Sequence, residues 1–224
     1  MNKFEIVKKI ENFAPLETQD NWDNSGWLVC TPKKEVTKIM LALTITDKVY
    51  EEAKNNNCDM IISHHPLFFI PLKYFDMNMY CAHTNMDKAI GGTTDTLLEQ
   101  LGLKLDEIQE EYVRIVRLSQ PVKTELLTKK IKQIFPNMRY INNNNISEIK
   151  TIGVCAGSGS EFLSIVKTDA YITGDLKFHT ALDTDKVVYD IGHFESEIFI
   201  LKKFAKILDI EVIYAKEKSP FIYD

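Results

Sequence analysis

Short apolar runs alternate with longer segments of helical periodicity along the first half of the chain. Three of these runs have the length and composition of buried strands: TKIMLAL (37–43), CDMII (58–62) and MYCA (79–82). Apolar residues recur at helical spacing over 47–56, which predicts a helix there. The start of the chain, MNKFEIVKKIENF, predicts an amphipathic helix by the same criterion.

The second half continues this alternation. Its predicted strands are YVRIVRL (112–118), TIGVCAG (151–157), AYIT (170–173) and KVVYDI (186–191). Its predicted helices are one after Gly92, one over 123–135, one from about 161 and a final one carrying Ile198, Leu201, Phe204, Ile207 and Leu208. The four asparagines at 142–145 predict a loop. Strands that alternate with helices in this way indicate an α/β protein.

Composition narrows the class of protein. The chain has 45% hydrophobic and 26% charged residues, and its apolar runs are far shorter than the roughly 20 residues of a membrane helix. We therefore expect a soluble, cytoplasmic protein without a membrane partner, since its start lacks the pattern of a signal peptide. The net charge of -5 disfavours nucleic acid as a partner. The four widely spaced cysteines are expected to be reduced thiols.

All five histidines follow predicted strands or lie in the loops after them. They are His64, His65, His83, His179 and His193. In open α/β sheets, the carboxyl ends of the strands form the active-site crevice. Scattered core histidines would not share this placement, so the sequence predicts a functional site at the ends of the strands.

Carboxylates near these histidines favour metal binding. His193 and Glu197 are four residues apart at the start of the final helix, so both side chains can reach one ion. Imidazole and carboxylate together suit zinc, iron or manganese better than calcium. Because adjacent residues cannot easily chelate one ion through both rings, His64 and His65 favour two ions that lie close together.

A lone histidine in a loop is most often a surface or hydrogen-bonding residue, so the metal hypothesis depends on the grouping. The grouping favours ligation for His64, His65 and His193. For His83 and His179, hydrogen bonding to a ligand or contact with a substrate fits at least as well as ligation.

Six motifs, in this order, resemble those of one family. They are WDNSGW (22–27), SHHPLFF (63–69), AHTNMD (82–87), CAGSGS (155–160), ITGDLKFH (172–179) and GHFESE (192–197). On these motifs the chain resembles the GTP cyclohydrolase I type 2 group, also called the Nif-three-like dinuclear metal-binding family. The resemblance extends over nearly the entire chain.

The resemblance implies a fold, a site and an activity. The fold would be two interlocked α/β domains with mixed sheets, in a homohexameric ring, and we expect the domains to be residues 1–105 plus 185–224 and residues 106–184. Two divalent ions, zinc, iron or manganese, would be bound by His64, His65, Asp87, His193 and Glu197, with Glu197 bridging them. The implied reaction is hydrolysis of GTP, a small-molecule substrate, to dihydroneopterin triphosphate and formate, with His83 or His179 moving protons.

Three points remain open at this level. Ser158 and Glu161 fit a capping box, which we favour over a phosphate site at the GSGS turn. Thr44 stands where family members often have an acidic residue, a difference expected to change the surroundings of a ligand or the substrate pocket. The alternative function is a ring-shaped metal-binding scaffold or metal-handling protein without turnover. A scaffold needs only the ligands, whereas an enzyme explains the additional polar residues His83, Asp175, His179 and Glu195.

Overall fold

The computed structural model describes residues 1–222, which divide into two units, each built around its own β-sheet. The first unit comprises Met1–Gly92 and Ile200–Lys218, and the second comprises Thr93–Phe199 with the residues from Ser219 onward. These boundaries differ from the expected 1–105 plus 185–224 and 106–184. The helix after Gly92 belongs to the second unit because it packs Leu97, Leu98 and Leu101 into that unit's core.

The helices and strands follow one another at short intervals. The helices are α1 (Lys3–Phe13), α2 (Asp47–Asn55), α3 (Thr84–Lys88), α4 (Thr93–Leu101), α5 (Thr124–Ile134), α6 (Phe178–Asp183), α7 (His193–Glu197) and α8 (Ile200–Leu208). The strands are β1 (Gly26–Val29), β2 (Lys38–Ala42), β3 (Met60–Ser63), β4 (Asn78–Cys81), β5 (Glu107–Gln109), β6 (Val113–Lys123), β7 (Arg139–Asn142), β8 (Glu148–Val154), β9 (Ala170–Thr173), β10 (Val187–Asp190) and β11 (Glu211–Tyr214).

The sheet of the first unit places the carboxyl ends of four parallel strands side by side, among them those of β2, β3 and β4. Its order is β1-β4-β3-β2-β11, in which β1 is antiparallel to β4 and the other neighbours are parallel. Met40, Ile61 and Met79 pack in one core with Val49 and Ala53 of α2. Burial on both faces explains why β2, β3 and β4 have nearly unbroken apolar sequences. The loops after these three strands begin at one edge of the sheet.

The sheet of the second unit has the order β5-β6-β8-β9-β10-β7. Strands β8, β9 and β10 are parallel, whereas β5–β6, β6–β8 and β10–β7 are antiparallel pairs. Ile152, Ile172 and Tyr189 of the parallel strands pack with Leu127 and Ile131 of α5. Here too, the loops after the three parallel strands begin at one edge, as the alternating sequence predicts.

The predicted α/β class with mixed sheets is confirmed, and the predicted strands correspond to β2, β3, β4, β6, β8, β9 and β10. The predicted helix from about 161 is wrong, because Gly159–Phe162 forms only a short 3-10 helix. The small residues of GSGS have low helix propensity. The capping box is wrong as well, since Ser158 makes no side-chain capping hydrogen bond. The predicted final helix is divided into α7 and α8.

The asparagine tract is an ordered turn between β7 and β8. Asn142 is the last residue of β7, and its Oδ1 accepts a hydrogen bond from Ile146 N at 2.8 Å. Asn143 donates from Nδ2 to Ala181 O at 2.8 Å. Because the carbonyls of the last helical turn lack partners within the helix, this amide satisfies one of them in α6.

Two further expectations concern membrane segments and thiols. Within residues 1–222, every helix is too short or too polar to cross a membrane. The cysteines are free thiols, as expected, with Cys58, Cys81 and Cys155 buried and Cys30 exposed.

Candidate metal centre

Three histidines of the first unit lie together where parallel strands end. His64 and His65 directly follow β3, and His83 is two residues past the end of β4. The ring centroid of His64 lies 5.1 Å from that of His65 and 5.2 Å from that of His83. One ring nitrogen from each residue lies within 4.8 Å of the others. We call His64, His65 and His83 the three-histidine group.

Asp87 brings a carboxylate to this group. It lies in α3, which begins directly after His83. Its Oδ1 lies 3.3 Å from Nε2 of His64, and the side chain of His64 is fully buried. Because water does not compete at this depth, a cation shared by the two atoms would be bound strongly.

Each ring of the three-histidine group has a hydrogen-bonding partner at Nδ1. His64 Nδ1 donates to Ala82 O at 3.0 Å, and a carbonyl can only accept, so this nitrogen carries the proton. His65 Nδ1 lies 2.7 Å from Thr44 Oγ1, and His83 Nδ1 lies 2.9 Å from Asp23 Oδ1. Metal-binding histidines commonly make such a bond with the nitrogen that does not face the ion. In all three rings, Nδ1 is therefore the nitrogen that this contact orients.

Asp23 is a candidate site residue that the sequence did not reveal. Its carboxylate accepts hydrogen bonds from Ser25 Oγ at 2.8 Å and from the backbone N and hydroxyl of Thr84 at 3.0 and 2.6 Å. Burial alone would raise the pKa of Asp23, but the bonds from His83 and Thr84 outweigh it and hold the pKa well below its usual range. The carboxylate stays charged and fixes the tautomer of His83. WDNSGW offers an acidic residue, but its spacing gives no link to a histidine 60 residues away.

In the second unit, His193 lies between two carboxylates. Its Nε2 is 3.0 Å from Oε2 of Glu197, one turn along α7, and its Nδ1 is 2.6 Å from Oδ2 of Asp175 after β9. Burial alone would lower the pKa of His193, but Glu197 and Asp175 outweigh it and raise the pKa to about 9. The two carboxylates therefore favour positive charge at the ring of His193. We call Asp175, His193 and Glu197 the His193 group.

Two glycines allow the backbone to approach the His193 group closely. A Cβ on Gly157, whose φ is +63°, would lie 2.1 Å from Glu197 Oε1. A Cβ on Gly174 would lie 2.7 Å from the backbone N of His193. Gly157 of CAGSGS and Gly174 of ITGDLKFH therefore provide the space that Glu197 and His193 occupy.

An ion pair fixes the two loops that carry the His193 group. Asp190, at the end of β10, accepts hydrogen bonds from Leu176 N at 3.2 Å and Gly192 N at 3.1 Å. Arg139 of β7 donates from Nε to the same carboxylate at 2.8 Å and from Nη2 to Leu176 O at 3.0 Å. The pair thereby connects the residues that immediately follow Asp175 and precede His193.

We expect Arg139→Ala to lower the free energy of unfolding by about 1–2 kcal/mol, because Asp190 is only 5% exposed and would lose its charged partner, while Arg139 is 72% exposed and Asp190 keeps its two backbone donors. Unfolding in urea measures the change. Arg117→Ala is the matched control, since Arg117 pairs with Asp106 at 3.2 Å and both side chains are about half exposed. Its loss should be roughly 0.5 kcal/mol or less. Equal losses in the two variants would contradict this account.

The spacing of the donors fits divalent first-row ions. Two donors at about 2.0–2.2 Å from one ion lie roughly 2.8–3.6 Å apart at octahedral or tetrahedral angles. The His64–Asp87 separation of 3.3 Å and the His193–Glu197 separation of 3.0 Å both meet this condition. Nitrogen mixed with oxygen suits zinc, iron or manganese. The residues present in each unit can therefore hold such an ion.

His179 and Trp22 are both exposed. His179 lies exposed on α6 with its ring centroid 5.5 Å from that of Phe178, and it is not part of the His193 group as defined by hydrogen bonds. Trp27 contacts Phe4 and Tyr80, but Trp22 is 61% exposed and meets the edge of His83 at 5.9 Å.

Comparisons with known proteins agree with these motifs. Residues 1–220 match the model of the family described as Duf34/NIF3 (NGG1p interacting factor 3). A protein of Clostridium perfringens named GTP cyclohydrolase 1 type 2 homolog is 34% identical over 97% of each chain. NIF3-like protein 1 of Drosophila melanogaster is 30% identical over 91% of this chain and 80% of its own.

Solved structures share the fold. Staphylococcus aureus protein SA1388 superposes with a TM-score of 0.84 at 22% identity, over 100% of this chain and 99% of its own. Reduced HcgD from Methanocaldococcus jannaschii superposes with a TM-score of 0.83 at 26% identity, over 97% of this chain and 98% of its own.

Proposed function

This chain belongs to the Duf34/NIF3 family, and from that premise we propose that it is a divalent-metal-dependent hydrolase with a dinuclear site. The proposed substrate is GTP, which would yield dihydroneopterin triphosphate and formate, because several relatives are named GTP cyclohydrolase 1 type 2 homolog. The proposed ligands of two zinc, iron or manganese ions are His64, His65, Asp87, His193 and Glu197, with Glu197 as the bridge.

The strongest support is the pairing of an imidazole Nε2 with a carboxylate oxygen in each unit, at 3.3 Å for His64 and 3.0 Å for His193. In both residues the other ring nitrogen already has an acceptor, Ala82 O for His64 and Asp175 for His193. A structural histidine needs only one such bond. A ring with one nitrogen bonded to an acceptor and the other beside a carboxylate is typical of a metal-binding histidine.

When bound, two divalent ions would supply a water of lowered pKa and stabilise charge on the reacting oxygens. The proposed role of His83 is to accept a proton from the attacking water at Nε2, since its Nδ1 donates to Asp23. The same Nε2 would return the proton to the nitrogen released when the imidazole ring of guanine opens. Asp23 would stabilise the positive charge that His83 carries between these two transfers.

His179 is the second proposed proton carrier. Its ring is exposed on α6, four residues after Asp175, and is therefore open to a substrate. A comparison of His83→Gln with His179→Gln, by kcat for formate release, would distinguish the two roles.

We also propose a homohexamer, as the family resemblance implies. The segment after the adjacent histidines exposes apolar side chains, with Phe69 91% and Leu72 89% exposed. An apolar surface of this kind fits a contact between copies of the chain. The molar mass in solution, from light scattering, is the direct test.

Formate release from GTP by metal-replete protein tests the proposed activity. We expect the parent to release formate and Glu197→Gln to release none, because the amide removes a charged ligand that is 5% exposed. Glu99→Gln, an exposed position on α4, is the control and should match the parent. No formate from a parent that holds two ions per chain would contradict GTP as the substrate and favour either another hydrolysed substrate or the scaffold.

A further inference from the structure

Glu217 lies at the carboxyl end of β2. Its Oε2 accepts a hydrogen bond from Leu43 N at 2.7 Å, and its Oε1 accepts one from Thr44 N at 2.9 Å. Just before it, Ala215 N donates to Leu41 O at 2.9 Å, where β11 pairs with β2. The carboxylate therefore continues this pairing past the end of both strands, where it accepts from the two backbone N–H groups that directly follow β2.

Leu43 and Thr44 are also the residues that contact His65. The hydroxyl of Thr44 lies 2.7 Å from His65 Nδ1, and Leu43 O accepts a hydrogen bond from His65 N at 2.7 Å. Threonine is β-branched and stiff at χ1, so the position of its backbone sets the position of its hydroxyl. Whatever fixes these two residues fixes both the backbone and the ring of His65.

A carboxylate is the group that this position requires. Two successive N–H donors need two acceptor oxygens side by side, which Glu217 supplies. A glutamine would present one oxygen and one NH₂ group, and the NH₂ would meet a donor. The site therefore distinguishes an acid from its amide at nearly equal volume.

We propose that Glu217 is a positioning residue for His65. By fixing Leu43 and Thr44, it directs Nε2 of the His65 ring toward the other two histidines of the three-histidine group. This inference rests on the proposed role of His65 as a metal ligand. Glu217 acts indirectly, since Thr44 makes the contact with the ring.

Zinc binding by the full chain provides the first test, with metal-free protein titrated against a competing chelator. We expect Glu217→Gln and Thr44→Val each to weaken one bound zinc by about 10–100-fold, as changes to residues behind a ligand do. The double variant should be no weaker than Thr44→Val alone, because both changes act through one contact. Thr44→Ser keeps the hydroxyl but loses the β-branch that restricts it, so it should weaken zinc binding less than Thr44→Val does.

Glu211→Gln is the matched control for these variants. Glu211 is the first residue of β11, six residues before Glu217, and its exposed carboxylate pairs with Lys38 at 3.0 Å. It should bind zinc like the parent. A Glu217→Gln chain that binds zinc like the parent overturns the proposal, whatever its thermal stability. If Glu217→Gln fails to fold, Glu217→Asp carries the same group on a shorter side chain and replaces it.

The nitrogen-15 chemical shifts of the His65 ring in metal-free protein provide the second test, because they report the bond at Nδ1 without any ion. Glu217→Gln should move them in the direction that Thr44→Val does, and Glu211→Gln should leave them in place. Unchanged shifts in Glu217→Gln overturn the proposal. A parent that binds no zinc would contradict the proposed function, while the ring shifts would still decide the role of Glu217.

Discussion

Asp23→Asn is expected to lower kcat for formate release from GTP by roughly 10³–10⁴-fold, with KM and metal content close to those of the parent. Oδ2 of Asp23 accepts from Thr84 N and from the hydroxyls of Thr84 and Ser25, whereas Oδ1 accepts from Asn24 N and His83, so an asparagine keeps more hydrogen bonds with its oxygen at the Oδ2 position. Its NH₂ group would then face His83, whose Nδ1 would have to accept. The proton of His83 would move to Nε2, where the ring could no longer take a proton from water.

Metal content separates this explanation from the alternatives. His83 is outside the proposed ligand set, so Asp23→Asn should retain its ions while losing turnover. Asp20→Asn is the control, since Asp20 lies in the same loop and pairs with Lys88 at 2.6 Å. It should keep the activity of the parent. If Asp23→Asn instead lost metal in proportion to activity, His83 would be a ligand and the proton-transfer role would be wrong.

Gly157→Ala is expected to weaken zinc binding at the His193 group by at least about 10²-fold while the chain still folds. The new Cβ would lie 2.1 Å from Oε1 of Glu197. That atom is the end of a flexible side chain, so the carboxylate can move away, but it then leaves Nε2 of His193. Zinc titration and thermal unfolding measure the two effects separately.

Gly102→Ala controls for backbone strain in this experiment. Gly102 has φ +62°, almost the value of Gly157, but a Cβ there would meet only Lys130 Nζ at 3.8 Å. Both variants should lose about 1 kcal/mol of stability from the left-handed backbone. Gly102→Ala should bind zinc like the parent. Equal zinc affinities in the two variants would show that Glu197 does not need the space beside Gly157.

The sequence predicts the strand ends of this protein well, because burial on both faces makes a parallel strand a short, unbroken apolar run. His64, His83 and His193 could be assigned to these ends on that basis. The helix expected from about 161 fails because the pattern after GSGS resembles a helical stripe, while glycine and serine favour a turn. The apolar stripe of α4 does not by itself reveal which core the helix joins, and in the structure it packs in the core of the second unit.

The hydrogen-bonding partners of the histidines lie beyond sequence reasoning. Ala82 contributes a backbone carbonyl, which every residue has, so no residue type marks it. Asp23 is an ordinary loop residue whose role depends on how separate chain segments meet, and the sequence singles out Thr44 without identifying His65 as the ring that it contacts. Ligand types can be proposed from residue identity, whereas orientation depends on contacts between residues far apart in sequence.

The division of the chain into units affects the order in which they can fold during synthesis. Residues 93–199 of the second unit are contiguous, so its sheet can form once that segment has left the ribosome. The first unit is interrupted, and Leu43 and Glu217 are 174 residues apart along the chain. Until β11 arrives, β2 is an open edge strand, which can pair with other chains. The nascent first unit is therefore the more vulnerable to aggregation, and its histidine site is completed last.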